Sequence, residues 1–185
     1  MPPKAMTLTR PLVLVRMMGA GKTAIGGAVA RKLGVRYLDS DEELVRAADR
    51  SIAEIFERDG EAFFRARETE VISRLLDGEP AVLSTGGGAF LSGTNRALID
   101  DKAVSMWLKA DLPLLWSRVR HKTTRPLLRT ANPLGTLTEI YDARTPIYAK
   151  AALKVDARAE YSIDDMADKV IATLNDANLL KEADT

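Results

Sequence analysis

The tightest constraint on the fold is the stretch Pro11 to Thr23, which reads Pro-Leu-Val-Leu-Val-Arg-Met-Met-Gly-Ala-Gly-Lys-Thr. A short apolar run rich in valine ends in a glycine turn, and helix-forming residues follow. A buried parallel strand has such a continuous apolar run, because both its faces are covered. Strand, glycine turn, lysine and hydroxyl are the grammar of a phosphate-binding loop. Glycines let the backbone approach a ligand closely, and the unpaired N–H groups of the following helix favour an anion. Lys22 adds a mobile cation for outer phosphates, and a Thr23 hydroxyl suits Mg²⁺. In the pattern G-x-x-x-x-G-K-[ST] the first glycine falls at position 16, where this chain has Arg16.

The remainder alternates strand and helix signals. Strands are expected at 12–15, 35–38, 81–84, 103–108 and 152–155. Ile25, Val29 and Leu33 share one helix face, with Gly34 as a stop. Gly26 and Gly27 within that helix cost roughly 1 kcal/mol each against alanine, which close packing on the sheet would offset. Ser40 with Glu43 offers a capping box for the next helix. Helices at 51–58 and 61–76 flank Asp59-Gly60, and another is expected at 94–99. Asp111 caps a helix with Pro113 in its first turn, and a later helix runs to about Tyr148, disturbed by Pro146. Ile163, Met166, Ala167, Val170, Ile171 and Leu174 form an amphipathic stripe on the last helix. This alternation predicts an α/β fold, three layers α/β/α around a five-stranded parallel sheet. Residues 1–10 read as a disordered lead-in without a signal-peptide core, 11–178 as one domain and 179–185 as a tail.

Composition removes several functions. Twenty-seven basic and 26 acidic residues leave a net charge of +1, which gives no global attraction to nucleic acid or an acidic membrane. The absence of cysteine excludes disulfides and thiolate-bound zinc. No apolar stretch approaches the roughly 20 residues of a membrane span.

Ligands of such sheets lie beyond the carboxyl ends of the strands. That edge gathers residues 19–23, Asp39-Ser40-Asp41 and Thr85-Gly86-Gly87-Gly88. Two carboxylates beside a phosphate site can divide labour, one for the water shell of Mg²⁺ and one for a hydroxyl; alternatively both merely favour a helix N-terminus. Arg65 is a surface charge or a rigid fork for an anion, and Glu68 is placed to orient it. Three glycines at a strand end suit close ligand approach. Residues 121–135 are cationic and turn-rich, a candidate lid carrying Arg125, and a lid arginine can reach a transferring phosphoryl group. His121 reads as a solvated loop residue and Trp107 as core; Trp116 fits the core or the wall of a base site, with core preferred.

Together these stretches resemble the shikimate kinases, which belong to the nucleoside-monophosphate-kinase-like P-loop family. The matching segments are Met18-Gly-Ala-Gly-Lys-Thr23, Leu38-Asp-Ser-Asp41, Ser51-Ile-Ala-Glu-Ile-Phe56 with Asp59-Gly-Glu61, Phe64-Arg65 with Glu68, Ser84-Thr-Gly-Gly-Gly88, Arg125-Pro-Leu-Leu128 and Arg144-x-Pro146-x-Tyr148. The resemblance implies a P-loop kinase that phosphorylates the 3-hydroxyl of shikimate with ATP and Mg²⁺, in the cytoplasm, as a monomer. It implies a lid at about 120–135 and substrate-binding helices at about 41–77. By the same resemblance Met18, Gly19, Ala20, Gly21, Lys22 and Thr23 hold the ATP phosphates, Thr23 and Asp39 serve the metal, and Arg118 lies near adenine. Arg158 is a further adenine candidate. Asp41, Phe56, Phe64, Arg65, Gly86, Gly87, Gly88 and Arg144 take the substrate, and Lys22, Asp41 and Arg125 carry the catalysis. No nucleic-acid or membrane partner is implied. Arg16 and Gly27 depart from the family pattern; the working hypothesis is that Arg16 points away from the phosphates. The competing readings are a gluconate-type or nucleoside-monophosphate kinase of the same fold, and a non-catalytic nucleotide-binding module.

Overall fold

The computed structural model describes residues 5–17, 22–86, 88–120 and 130–183, with the backbone alone for Lys22 and Thr23. In chain order the strands are β1 (Met6–Leu8), β2 (Leu12–Val15), β3 (Tyr37–Asp39), β4 (Val82–Ser84), β5 (Val104–Lys109), β6 (Leu153–Asp156) and β7 (Leu180–Glu182). The helices are α1 (Lys22–Leu33), α2 (Ser40–Ala48), α3 (Ile52–Leu76), α4 (Gly93–Lys102), α5 (Leu112–Val119), α6 (Pro133–Tyr148) and α7 (Ile163–Asp176), with a 3₁₀ turn at Ala89–Leu91.

Five strands pair in parallel in the order β3-β4-β2-β5-β6, the sheet expected from the strand–helix alternation. β2 is central and wholly buried, and its alternating side chains serve two cores. Val13 and Val15 meet Ile72, Ile99, Leu115, Leu137 and Tyr148 on one face, the side of α3 to α6. Leu12 and Leu14 meet Ile25, Val29, Leu33, Met166, Val170 and Leu174 on the other, the side of α1 and α7. Fully burying each such side chain is worth about 1.5–3 kcal/mol, so β2 anchors both layers at once. Trp107 lies in the first core, and Trp116 packs against it from the side. On α7 the stripe holds except at Ile163, which stands at the first helical position and is 51% exposed.

Local sequence explains most ends. Gly34 adopts φ 65°, and the bonds from Gly34 N–H to Arg31 and from Val35 N–H to Ala30 close α1 in a Schellman motif. Asp111 accepts from Leu114 N–H at 2.9 Å, and Ser162 and Asp165 cap each other reciprocally. The two helices expected around Asp59-Gly60 form one run, kinked where Gly60 takes φ 84° and ψ 171°. Two expectations fail. Asp39, not Ser40, caps α2: its Oδ1 accepts from the N–H groups of Asp41 and Glu42 at 2.9 and 3.2 Å. Residues 6–8 and 180–182 are not a disordered lead-in and tail, but an antiparallel pair with Leu8 buried in the second core. Three-residue strands are too short to show a period, and their partners lie about as far apart as the chain allows: Thr9 bonds to Leu179 across 170 positions.

The two glycines of α1 face different surroundings. A Cβ on Gly26 would collide with the ring of Tyr37 on β3, whereas one on Gly27 would meet only the mobile Arg31 tip at 3.4 Å. Close packing therefore accounts for Gly26 but not for Gly27. Gly27→Ala should stabilise the protein by up to about 1 kcal/mol through helix propensity. Gly26→Ala should destabilise it, since overpacking costs about 1–3 kcal/mol against that same gain. Urea unfolding of both variants checks this, and shifts of the same sign would refute it.

Candidate active site

All five parallel strands end on one edge, and the chain leaves β2, β3 and β4 there into the three segments marked by the sequence. After β3, Asp39 is 7% exposed and spends one carboxylate oxygen on the α2 N-cap. Asp41 stands in the first turn of α2, where the helix N-terminus favours its charge. The electrostatic role and the chemical role weighed for this pair are therefore compatible.

After β4 the glycines do what side chains could not. The Asp41 carboxylate oxygens both lie 2.8 Å from where a Cβ of Gly86 would stand. Nη2 and Nη1 of Arg65 lie 2.7 and 2.9 Å from the corresponding point on Gly88. One strip of backbone thus carries an anion at one end and a guanidinium at the other. Arg65 is held from behind: it pairs with Glu68 at 3.0 Å and more loosely with Glu61 at 3.8 Å. Its guanidinium carbon stands 5.2 Å from the ring centroid of Phe64, which packs on Phe56 at 4.6 Å. Phe64 is buried and Phe56 half-buried, so the two rings form a floor with Ile55 and Leu44.

Glu68 is only 2% exposed, an uncommon place for a carboxylate. Burial pushes its carboxyl above the ordinary value; the Arg65 ion pair pulls it down, and the Asp41 charge adds to the upward push. Its role as partner of Arg65 was legible from the i, i+3 spacing. Its burial was not, because that depends on what α3 packs against.

Arg144 sits half-buried on α6 and bonds to the phenol of Tyr148, one helical turn on. Burial pushes the Tyr148 hydroxyl up, while Arg144 and the nearby charge of Arg16 act downward. Arg16 is thus a buried residue, only 7% exposed, whose charge reaches Tyr148 on α6. Tyr148 was part of the sequence pattern without a role; the i, i+4 spacing to Arg144 was the available signal. α6 packs against the 3₁₀ turn that follows Gly88, which brings Arg144 to the same side of the sheet.

Lys22 opens α1 at the carboxyl end of β2, and the first turn of α1 carries no acidic residue, which suits an anion at that terminus. Arg118 is half-buried on α5. Exposed Arg158 borders a cleft of about 660 Å³ between the start of α5 and the segment after β6, with Lys109, Asp111 and Ser117 on its walls. Of the two adenine candidates only Arg158 lines this cleft; Arg118 follows Ser117 on α5 but is not among its lining residues. Met18, Gly19, Ala20, Gly21, Gly87, His121 and Arg125 lie outside the described residues, as does most of the expected lid.

The family model for shikimate kinase matches residues 18–175, which include every one of these segments. The chain belongs to the shikimate kinase family. It is 61% identical to a shikimate kinase of Ruegeria pomeroyi, over 92% of this chain and 87% of that one. It is 59% identical to a shikimate kinase of Cereibacter sphaeroides, over 88% of this chain and 81% of that one. A shikimate kinase of Acinetobacter baumannii, solved in complex with shikimate, superposes with a TM-score of 0.82 at 34% identity, covering 92% of this chain and 96% of that one. Membership makes the protein an ATP-using kinase of shikimate and sets aside the gluconate-type, nucleoside-monophosphate and non-catalytic readings. Among the described residues no helix is long and apolar enough to cross a membrane.

The raised Glu68 carboxyl has a testable sign. The native state keeps this proton to higher pH than the unfolded chain does. Its contribution to stability is therefore complete below the ordinary value of 4.5 and is lost as pH rises through the folded value. Glu68→Gln should flatten the decline of unfolding free energy above pH 4.5. Parallel pH profiles for variant and parent in urea titrations would count against it.

Proposed function

We infer that shikimate lies along the Gly86–Gly88 backbone, with its hydroxyls toward Asp41 and its carboxylate between Arg65 and Arg144. Phe56 and Phe64 form the apolar floor beneath the ring. The observation that carries this reading is the placement of Asp41 on Gly86 and of Arg65 on Gly88, two opposite charges on one side-chain-free strip. A hydroxylated ring acid needs those two charges at its two ends. The predicted domain 11–178, together with the β1–β7 pair that packs on it, acts as a single kinase domain, with 120–135 as its lid and the helices within 41–77 as its substrate side. We read the protein as a cytoplasmic monomer; its net charge of +1 gives no global attraction to nucleic acid or an acidic membrane.

ATP would lay its phosphates along Met18, Gly19, Ala20, Gly21, Lys22 and Thr23, and its base in the cleft beside Arg118 and Arg158. The donor set fits Mg²⁺: Mg²⁺ keeps several waters and needs only one or two carboxylates, so the lack of a three-carboxylate cluster among the described residues is no obstacle. Thr23 and Asp39 would hold it, Asp39 through water with the carboxylate oxygen that its cap leaves over. When bound, the ion neutralises charge on the β- and γ-phosphates.

The 3-oxygen of shikimate attacks the γ-phosphorus; the new O–P bond forms as the bond to the ADP oxygen breaks. The transition state is loose, so positioning and charge dominate. An ordinary aspartate, with pKa about 4, is a weak base for an alcohol. Asp41 therefore orients the hydroxyl and takes its proton late. Lys22 and Arg125 stabilise the charge on the moving group. Arg65, fixed by Glu68, and Arg144, fixed by Tyr148, select for the carboxylate. The buried Arg16, whose charge reaches Tyr148 on α6, supports the reading that it leaves the phosphate cradle usable.

These roles separate kinetically. In a coupled ADP-release assay, Asp41→Asn should lower kcat by about 100-fold or more, the usual weight of an acid–base group. Arg65→Lys should chiefly raise KM for shikimate by about tenfold or more, since a charge-assisted bond is worth about 1.5–3 kcal/mol. An Asp41→Asn enzyme within threefold of its parent would sink the assignment. Arg16→Gly should change kcat by less than about 100-fold, roughly 2.7 kcal/mol of barrier; a larger gain would show that Arg16 hinders the cradle.

A further inference from the structure

Positions 63, 67, 70 and 74 lie on the face of α3 opposite Arg65, Glu68 and Ile72, as 3.6 residues per turn requires. That outer face, α2 and the first limb of α3 line an open crevice of about 610 Å³ that meets the site above only through the cluster of Leu44 and Ile55. Arg50, Arg58, Arg67 and Arg74 line it, against the carboxylates of Asp59 and Glu70. Arg67 is committed to Glu70 at 2.6 Å, and Arg74 touches Glu43 only at 4.0 Å. Arg50 and Arg58 have no ion-pair partner among the described residues. The crevice therefore keeps a surplus of positive charge.

Its floor is apolar. Leu44, Ile55 and Val71 line it and belong to one small buried cluster with Phe64. Phe63 is 40% exposed at its rim, with the Arg67 guanidinium 5.1 Å from the ring centroid. An apolar floor ringed by convergent charged groups, within the roughly 300–1,000 Å³ of small-ligand sites, is the anatomy of a binding pocket. A solvated basic face needs no such floor.

We propose that this crevice binds a small dianion with an apolar body, of which an aromatic dicarboxylate is the simplest member. Two carboxylates match the surplus charge, and guanidinium forks take carboxylates in paired hydrogen bonds. The ring covers Leu44, Ile55 and Val71 and stacks at Phe63. The site is distinct from the shikimate pocket and shares with it only the cluster beneath Phe64.

Calorimetric titration of the whole protein with isophthalate, in saturating shikimate, tests this. Isophthalate should bind at least about tenfold more tightly than the neutral isophthalamide, because charge-assisted bonds are lost in the latter. The Arg58→Ala/Arg74→Ala variant, altered at two exposed positions, should weaken isophthalate at least tenfold while keeping the urea midpoint and shikimate turnover of the parent. Arg58→Gln alone should weaken it in the same direction. Equal affinities of isophthalate and isophthalamide, a double variant that binds within threefold of the parent, or loss of binding when shikimate is added would each overturn the proposal. The last outcome would place the dicarboxylate in the substrate pocket instead.

Discussion

A carboxylate and a guanidinium approach the backbone after β4 more closely than any side chain would permit. Asp41 reaches Gly86 and Arg65 reaches Gly88 at distances that a single added methyl group would occupy. The remaining geometry of the site depends on that approach. α2 and α3 carry the two charged groups, so both helices must pack tightly over the edge of β3 and β4. The sheet order β3-β4-β2 then places the same strip beside the end of β2, where α1 and its phosphate-binding terminus begin. The parallel sheet is what keeps the start of α1 and the Asp41–Arg65 strip at a fixed separation.

Both arginines, Arg65 and Arg144, are held by a buried partner. Arg65 leans on a buried Glu68, and Arg144 on a buried Tyr148. A long side chain pinned in this way loses little further freedom when it meets a ligand. The cost appears as carboxyl and phenol groups pushed upward by burial. Breaking such a pair by removing one member leaves the other uncompensated in a dry environment, which is the expensive change. Conservative replacements at 65 and 68 are therefore informative where truncations are not.

Arg16 and Gly27, the two departures from the family pattern, fall on opposite faces of the P-loop unit. Arg16 is buried and its charge acts on Tyr148 at the end of α6. α6 also carries Arg144 and packs on the 3₁₀ turn after Gly88. The strand that leads into α1 is thus in electrostatic contact with the helix that carries Arg144. Gly27 meets only the Arg31 tip, and nothing in the packing requires a glycine there.

The linear order of residues by itself determined the parallel sheet, the helix stops and the kink at Gly60. Apolar runs, caps and breakers act within a few residues of themselves, so they can be read locally. It also marked the Asp39-x-Asp41 pair and the glycine triplet by their place at strand ends, whereas Arg65, on a helix, was singled out only by the resemblance to the family. Only the tertiary structure decided what depends on distant neighbours. Strands at residues 6–8 and 180–182 exist because each supplies the other's hydrogen bonds, which no short window reveals. Asp39 displaced Ser40 as the cap because α2 begins directly after β3, at Ser40 itself. Glu68 became a buried carboxylate, and Arg16 a neighbour of Tyr148, through packing alone. Burial and electrostatic environment are properties of the surroundings, and those surroundings are assembled from segments far apart along the chain.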